Sequence, residues 1–337
     1  IETDALMILE ISVKVPSTPS ILSMTEDTFP SIIRNDAGLN NISEIVNWLT
    51  KESSVLKLGL SNSGTVLFRG FPIFTPEDFD SFSSAFNYGN FTYQESLSNA
   101  VRINKTPRVF TANEAPPEVE IFLHHEMAQT PSYPEKIFFC CLSPAAEGGA
   151  TPLCRSDKVY ETLNDKHPKW LSKFESLGLK YTTLMPNSDE LASGQGRGWR
   201  STLSVQDKKA AEERLIELNY TWEWQENGSL LATTPPLPAT TKLTDGKISF
   251  FNQIIAAYRG WKTQENMSLP AVTFGNGEHI DEIILNTISD IAERFTTALE
   301  WEPGDVALVD NKRVMHGRHP YSGNKKREVV VCLARDS

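Results

Sequence analysis

The decisive stretch of this sequence is VDNKRVMHGR, residues 309–318. Apolar residues open the stretch and return just before His316, and residues typical of turns lie between them. The pattern predicts a strand, a tight turn and a second strand that carries His316. A last strand is predicted at 328–333, so the C-terminal region is expected to be mainly β-structure.

A second histidine lies far earlier in the chain, in the stretch Leu123-His124-His125-Glu126. Side chains alternate between the two faces of a strand, so His124 and Glu126 are predicted to share one face and His125 to point to the other. Two histidines and one carboxylate form the ligand set of non-haem iron(II) oxygenases, which leaves coordination positions open. If the two segments meet in the fold, His124, Glu126 and His316 can hold one metal ion.

The triplet His-x-Glu carries little weight by itself. A chain with six histidines and 43 acidic residues would contain a His-x-acid triplet by chance about half the time. The ordinary alternative is a strand with exposed polar side chains. The distant His316 raises the weight of the motif, because the two ends of a chain can meet in a β core.

The order of the predicted elements favours an α+β fold. Strands are predicted near both ends of the chain, with helices before and between them, and this order indicates an antiparallel β core with helical decoration. The clearest amphipathic helix is predicted at 278–299, and Asn227-Gly228 predicts a hairpin. The chain lacks both a repeated βα rhythm and a G-x-G-x-x-G motif, so a nicotinamide site is not expected.

Length and composition predict a single folded domain. The chain has 337 residues, of which 39% are hydrophobic and 22% charged, and it contains no internal repeat and no single linker. We expect one domain over 1–337, with a helical or irregular lead-in at 1–60. The polar, glycine-containing segment 186–200 is predicted to be a loop that covers an active site.

Charge and hydropathy exclude several partners. A net charge of -11 and a pI near 5.2 argue against nucleic-acid binding, which requires clustered basic residues. No run approaches the roughly 20 apolar residues of a membrane span, and no signal peptide is expected. The cysteines lie in apolar segments without metal-site spacing, which predicts buried free thiols in a reducing, cytoplasmic location: Cys140, Cys141, Cys154 and Cys332.

Five segments together resemble the taurine dioxygenase and clavaminate synthase-like family of 2-oxoglutarate oxygenases. They are LFRGF (67–71), LHHEMAQ (123–129), GGATPL (148–153), FFNQ (250–253) and DNKRVMHGRHP (310–320). The resemblance extends from about Gly64 to the C-terminus and is greatest to the clavaminate synthase-like branch, in which the carboxylate ligand is Glu. It implies a double-stranded β-helix, or jelly roll, and a requirement for Fe(II), 2-oxoglutarate and O2.

The resemblance also implies roles for five residues. His124, Glu126 and His316 would bind the metal, and Thr151 and Arg327 would contact 2-oxoglutarate. A guanidinium can bind a carboxylate through two hydrogen bonds, and a hydroxyl can donate to the same group. Halogenating relatives replace the carboxylate ligand with a small residue, so a chain that keeps Glu126 is expected to hydroxylate, desaturate or cyclise its substrate.

The substrate is expected to be a small molecule related to an amino acid. Family members that act on taurine or on herbicides carry a second Arg four residues after the first, and this chain has Val331 there. Anchoring of the substrate is therefore predicted elsewhere, and each candidate could equally be an ordinary polar surface residue. The candidates are Asn113, Glu114, Gln129, Arg197 and Arg200.

Arg197 and Arg200 flank Trp199 in the predicted loop, and a basic pair there could close over a carboxylate. We expect Arg200→Ala to raise the substrate KM more than it weakens 2-oxoglutarate binding, as measured by steady-state kinetics with each compound varied in turn. Equal effects on both compounds would contradict this role for Arg200.

Two other classes of protein remain open from sequence. A cupin-like small-molecule binding protein could keep the β core without turnover. A zinc hydrolase could use the same histidines and glutamate. The first does not account for all five site residues, and the second explains neither Thr151 nor Arg327.

Overall fold

Helices and short strands alternate irregularly along the chain in the computed structural model, which describes residues 17–21, 24, 27–93, 96–190, 196–261 and 270–336. The helices are α1 (Ile42–Ser63), α2 (Pro76–Ser84), α3 (Ser156–Lys166), α4 (Pro168–Leu177), α5 (Trp199–Leu203), α6 (Lys208–Glu217), α7 (Ile254–Gly260) and α8 (Glu282–Arg294). The strands are β1 (Ser31–Arg34), β2 (Thr65–Arg69), β3 (Gly89–Asn90), β4 (Phe110–Thr111), β5 (Ile121–His124), β6 (Lys136–Ser143), β7 (Glu147–Gly148), β8 (Thr151–Arg155), β9 (Leu179–Met185), β10 (Thr221–Trp224), β11 (Leu230–Thr233), β12 (Thr241–Lys242), β13 (Ile248–Ser249), β14 (Val272–Phe274), β15 (Thr296–Leu299), β16 (Val306–Asp310), β17 (Val314–Arg318), β18 (Tyr321–Ser322) and β19 (Glu328–Arg335).

The largest sheet has seven strands within the described residues. Its order is β1-β2-β16-β6-β19-β3, and β4 also pairs with β19. β1 runs parallel to β2, and the other pairs are antiparallel. Because β1 belongs to the lead-in at 1–60, that region adds a strand as well as a helix to the fold, which sequence did not predict. Residues 1–16, 22–23 and 25–26 of the lead-in lie outside the described residues.

A second, antiparallel sheet has the order β15-β8-β17-β5. In its register, His316 of β17 pairs with His124 of β5 on one side and with Leu153 of β8 on the other. Two histidines from distant parts of the chain therefore stand on neighbouring strands. Within the described ranges the strands form open sheets rather than one closed barrel, so the fold is mixed α and β.

Side chains of the large sheet alternate between two hydrophobic cores. In β6, Phe138 and Cys140 pack with α1 and α2, whereas Phe139 packs in a cluster with Leu153 and Val314 of the smaller sheet. The same alternation holds along β16 and β19. Both faces of these strands are buried, which is why their sequences read as near-continuous apolar runs.

Several local predictions can be compared directly with the elements. Thr75 caps α2 by accepting a hydrogen bond from the backbone of Asp78, and the hairpin of β10 and β11 surrounds Asn227-Gly228 as predicted. Ser156 is the first residue of α3 rather than its cap, because its hydroxyl donates to the backbone oxygen of Arg313 at 2.8 Å. The helix predicted at 278–299 is shorter, since its last residues form β15 and pair with β8.

The segment 186–200 contains no strand in its described part, and α5 begins at Trp199. Residues 191–195 of this predicted loop lie outside the described residues. Trp199 packs in a core with the sheet β10-β11-β9-β14. Of the described helices, none combines the length and the apolar character needed to cross a bilayer.

Candidate metal centre

Three potential ligands meet where β5 and β17 lie side by side. Donor atoms of His124, Glu126 and His316 all lie within 4.8 Å of one another. Glu126 Oε2 is 3.3 Å from His316 Nε2 and 3.9 Å from His124 Nε2. Three donor atoms this close can bind a single metal ion, so the structure brings together the three residues that the sequence singled out.

The imidazole of His124 is held in the form that binds a metal. Its Nδ1 donates to the backbone oxygen of Phe122 at 2.8 Å, which leaves Nε2 free to act as a ligand. Burial and the neighbouring His316 lower the pKa of His124 to about 4, so the ring is neutral at physiological pH. His125 has a different environment: it donates to the backbone oxygen of Asn311 and packs on Phe251.

Glu126 reaches the site from a turn and not from the strand. β5 ends at His124, and the chain turns at Met127, which has a φ of 59°. Glu126 is therefore not part of the strand, so the expectation that strand alternation places it on the same face as His124 is wrong. The two side chains nevertheless converge. A left-handed residue directly after Glu126 requires support from its surroundings.

Asn311 provides that support. Its Oδ1 accepts from the backbone N–H of Glu126 at 2.8 Å, and its Nδ2 donates to the backbone oxygens of Glu126 at 3.0 Å and of Pro134 at 2.7 Å. Asn311 lies in the turn between β16 and β17, so the segment that delivers His316 also fixes Glu126. Sequence reasoning assigned Asn311 no role, although it stands within the decisive stretch.

Arg102 is a second residue that sequence reasoning missed. Its Nη2 donates to Glu126 Oε1 at 2.8 Å, and both side chains are buried. Burial acts to raise the pKa of Glu126, but Arg102 and the two histidines outweigh it and hold that pKa well below its usual range. Glu126 is therefore ionised, as a carboxylate ligand must be. No motif in the sequence connects Arg102 to Glu126.

Two of the three potential ligands, His124 and His316, line a cavity between the large sheet and the sheet β15-β8-β17-β5. The cavity is small, about 50 Å³, and partly open to solvent, and Phe139 of the large sheet packs against His316 with a ring separation of 5.1 Å. Besides these groups, its lining includes Asn113, Thr151, Arg318 and Arg327. The two predicted histidine ligands and the predicted 2-oxoglutarate contacts thus share one cavity.

Neighbouring backbone and side chains position Thr151 and Arg327. Thr151 Oγ1 accepts from Trp301 Nε1 at 3.0 Å, so the hydroxyl proton stays free to donate. Arg327 Nε donates to the backbone oxygen of Gly149 at 3.0 Å. Gly149 has a φ of 77°, and a Cβ atom there would lie 3.0 Å from Arg327 Nε, so a side chain at this position would displace the guanidinium.

The cavity carries positive charge. Neither Arg318 nor Arg327 forms an ion pair with an acid in the described part of the chain. Burial and the nearby Arg318 lower the pKa of Arg327 to about 10, so the group remains charged at neutral pH. Arg318 donates to the backbone oxygens of a loop at the rim: Asn113, Ala115, Pro116 and Val119. The buried guanidinium of Arg318 and the half-buried one of Arg327 have no carboxylate within ion-pair distance among the described residues, which favours an anionic ligand.

The candidates for substrate binding divide into two groups. Asn113 lines the cavity, whereas Gln129 follows the turn after Glu126. Arg197 donates to the backbone oxygens of Ser96, Ser98 and Ser201 and borders a separate cavity with Arg102. Arg200 is exposed, stacks on Trp199 and donates to backbone oxygens of its own region, so the structure does not bring it to the three potential metal ligands.

The fold, and the convergence of two histidines and one carboxylate beside a positively charged cavity, are typical of one class of protein, the non-haem metal enzymes. Residues 36–333 match the family described as "Taurine catabolism dioxygenase TauD, TfdA family". The chain belongs to this family. It is an Fe(II)- and 2-oxoglutarate-dependent dioxygenase with O2 as the second cosubstrate, which confirms the enzymatic prediction.

Individual relatives agree with this assignment. A clavaminate synthase-like protein of Arabidopsis thaliana is 38% identical over 275 residues, which cover 81% of this chain and 82% of the relative. The dapdiamide synthesis protein DdaC of Enterobacter agglomerans is 26% identical over 292 residues, covering 81% of this chain and 83% of the relative.

Two solved structures share the fold. AAD-2, solved in complex with Mn(II) and N-oxalylglycine, superposes with a TM-score of 0.51 at 15% identity and covers 95% of this chain and 98% of its own. A taurine dioxygenase from Burkholderia xenovorans superposes with a TM-score of 0.50 at 14% identity and covers 91% of this chain and 86% of its own.

The residues present fit Fe(II). The set consists of two imidazoles, of which His124 offers an unprotonated Nε2, and one ionised carboxylate. Such a mixed nitrogen and oxygen set suits a divalent iron that must keep positions open for other ligands. The adjacent positively charged cavity suits a dianionic keto acid.

Proposed function

We propose that this chain hydroxylates, desaturates or oxidatively cyclises an amino acid or a small metabolite derived from one, with His124, Glu126 and His316 as ligands of Fe(II). The observation that carries the proposal is the convergence of these three side chains within 4.8 Å, beside a cavity that His124 and His316 line together with Thr151 and Arg327. The lining combines apolar side chains with a few polar and charged ones, as sites for small molecules do.

The substrate class is supported by what the chain lacks and by its relatives. Val331 is buried in β19 and pairs with Phe139, so it offers no charge to a sulfonate or an aryloxyacetate. The relatives named above include a clavaminate synthase-like protein and a dapdiamide synthesis protein. We therefore favour an amino-acid-like metabolite, and we place the enzyme in the cytoplasm, in keeping with four buried free cysteines.

Each site residue has a defined task in this proposal. His124 and His316 present Nε2 to the metal and Glu126 presents Oε2. Arg327 binds the distal carboxylate of 2-oxoglutarate, and the Thr151 hydroxyl, already oriented by Trp301, donates to the same carboxylate. When bound, Fe(II) and 2-oxoglutarate supply the activation of O2, with decarboxylation of the keto acid to succinate.

We further propose that the two large sheets are the two halves of a jelly roll and that the chain is one domain. Two antiparallel-rich sheets share one buried core, to which both the N-terminal and the C-terminal strands contribute. A jelly roll is built from such a pair of sheets and often binds a ligand between them.

Anaerobic addition of Fe(II) and then 2-oxoglutarate to the purified protein tests the proposed site. A weak visible charge-transfer band is expected, because a facial set of three protein ligands leaves open the two adjacent positions that a bidentate keto acid needs. A protein that cannot hold Fe(II) and the keto acid together, such as a zinc hydrolase or a cupin-like protein without this site, would give no band. A screen for succinate release against amino acids and their N-substituted derivatives then identifies the substrate, and a screen without any stimulation by these compounds would contradict the substrate class.

Arg327→Met is expected to raise the Kd for 2-oxoglutarate by about 100-fold, since a charge-assisted pair with a carboxylate is lost from a buried site. The measurement is a titration of the charge-transfer band with 2-oxoglutarate. Fe(II) affinity should change little, because Arg327 contacts no metal ligand. Lys326→Met is the matched control: it removes a charge from an exposed neighbour and should leave the Kd unchanged.

A further inference from the structure

The two oxygens of Glu126 have different surroundings. Oε2 faces the Nε2 atoms of His316 and His124 at 3.3 and 3.9 Å. Oε1 instead accepts from Arg102 Nη2 at 2.8 Å. A carboxylate can bind a metal through one oxygen or both, and the choice changes how many positions remain for other ligands.

Arg102 is itself fixed in place by packing. Its side chain is 7% exposed, and its guanidinium carbon lies 5.2 Å from the ring centre of Tyr93 and 5.5 Å from that of Phe110. Aromatic rings at this distance attract a guanidinium cation and help to offset its loss of hydration. The only ion pair of Arg102 among the described residues is with Glu126. The charge of Arg102 is thus directed at one oxygen of one predicted ligand.

We propose that Arg102 is a positioning residue that keeps Oε1 of Glu126 off the metal, so that Glu126 contributes one oxygen. The inference rests on the proposed function, because it takes His124, Glu126 and His316 as the iron ligands. A bidentate keto acid and O2 together need three positions. If both oxygens of Glu126 bound the metal, one of those positions would be lost.

Arg102 also limits how tightly the site binds a cation. A guanidinium hydrogen-bonded to the carboxylate repels a dication on the other oxygen, and it competes for the charge of the ligand. Removal of Arg102 therefore has two opposite consequences. The metal binds more tightly, because repulsion ends and a second oxygen becomes available, whereas the keto acid binds less tightly to the loaded protein. A residue that merely stabilised the local structure would weaken both.

The experiment compares Arg102→Met with the wild-type protein in two titrations without O2. Mn(II) is titrated into the metal-free protein and followed by the loss of free Mn(II) signal in electron paramagnetic resonance; the variant is expected to bind about threefold more tightly or better. 2-Oxoglutarate is then titrated into the Fe(II)-loaded protein and followed by the charge-transfer band. Its Kd is expected to rise about tenfold in the variant.

Matched variants separate charge from packing. Arg102→Lys keeps a cation near Oε1 and should leave the Mn(II) affinity within about twofold of wild type. Arg108→Met removes another arginine from the segment that carries Arg102. Arg108 pairs with Asp80 of α2, so its loss should alter neither titration. If Arg102→Met does not fold, Arg102→Gln takes its place with the same expectations.

Weaker Mn(II) binding in Arg102→Met, or an unchanged Kd for 2-oxoglutarate, would overturn the role of Arg102. Mn(II) affinity of Arg102→Lys that rises as much as that of Arg102→Met would do the same. These outcomes differ from failure of the proposed function, in which the wild-type protein with Fe(II) shows no charge-transfer band at all. The Mn(II) titration requires neither 2-oxoglutarate nor turnover, so it tests Arg102 separately from binding of the keto acid.

Discussion

His316→Ala is expected to lower Fe(II) affinity by about 100-fold or more and to reduce succinate formation to background, since loss of one of three protein ligands removes both binding energy and the facial geometry. His316 is the proposed ligand on β17, an interior strand of its sheet, where it pairs with His124 on one side and Leu153 on the other. The remaining two ligands come from one short segment, so nothing else in the described chain replaces the nitrogen from β17. Anaerobic Fe(II) titration and a succinate assay measure the two effects.

The matched control is His279→Ala, which removes an exposed histidine that precedes α8. It should leave Fe(II) affinity and turnover unchanged. The alanine side chain at position 316 still fits a β-strand, so the variant is expected to fold, and circular dichroism checks this. Fe(II) affinity within a factor of a few of wild type in His316→Ala would show that the metal is held elsewhere, and the proposed site would be wrong.

Sequence predicted the identity of the converging residues better than the way in which they converge. His124, Glu126 and His316 could be named because a motif with fixed spacing places chemically suitable side chains near predicted strands. The strand alternation that was offered as the reason does not hold, since Glu126 lies beyond the end of β5. The turn at Met127 depends on hydrogen bonds to Asn311, and such a long-range contact leaves no local pattern.

Arg102 illustrates the same limit more sharply. A lone arginine between apolar residues, far in sequence from any motif, reads as an ordinary surface residue. Only the folded chain shows its contact with Glu126 and the two aromatic rings beside it. Residues that act through another residue are fixed by tertiary packing, so a single sequence gives little sign of them.

Four strands of the large sheet were predictable because both of their faces are buried and their sequences are largely apolar: β2, β6, β16 and β19. Their order was not predictable, since β16 lies between β2 and β6 although it comes almost at the end of the chain. Pairing of this kind depends on the total buried surface and not on local propensity. The short strands β3 and β4 were missed for a related reason: they pair with β19 and carry no periodic pattern of their own.

Asn311→Ala is expected to lower both the stability of the fold and its affinity for Fe(II). The side chain is fully buried, with 0% exposure, and it satisfies the backbone N–H and C=O of Glu126 as well as the C=O of Pro134. Alanine leaves these buried groups without partners, and each such group costs about 1–3 kcal/mol, so the free energy of unfolding should fall by about 2–4 kcal/mol. Urea denaturation of the metal-free protein measures this loss.

The Fe(II) affinity of Asn311→Ala is more informative than its stability. It shows whether Asn311 positions Glu126 for the metal or only stabilises the folded chain. With the turn at Met127 released, Glu126 must be ordered again when the metal binds, and Fe(II) affinity should fall by about 10- to 100-fold. Asn276→Ala, which removes an exposed asparagine that bonds only to Glu278 nearby, is the control for both measurements. If the variant loses stability but binds Fe(II) as tightly as wild type, Asn311 holds the turn without positioning Glu126. The placement of the carboxylate would then not depend on the two hydrogen bonds between Asn311 and the backbone of Glu126.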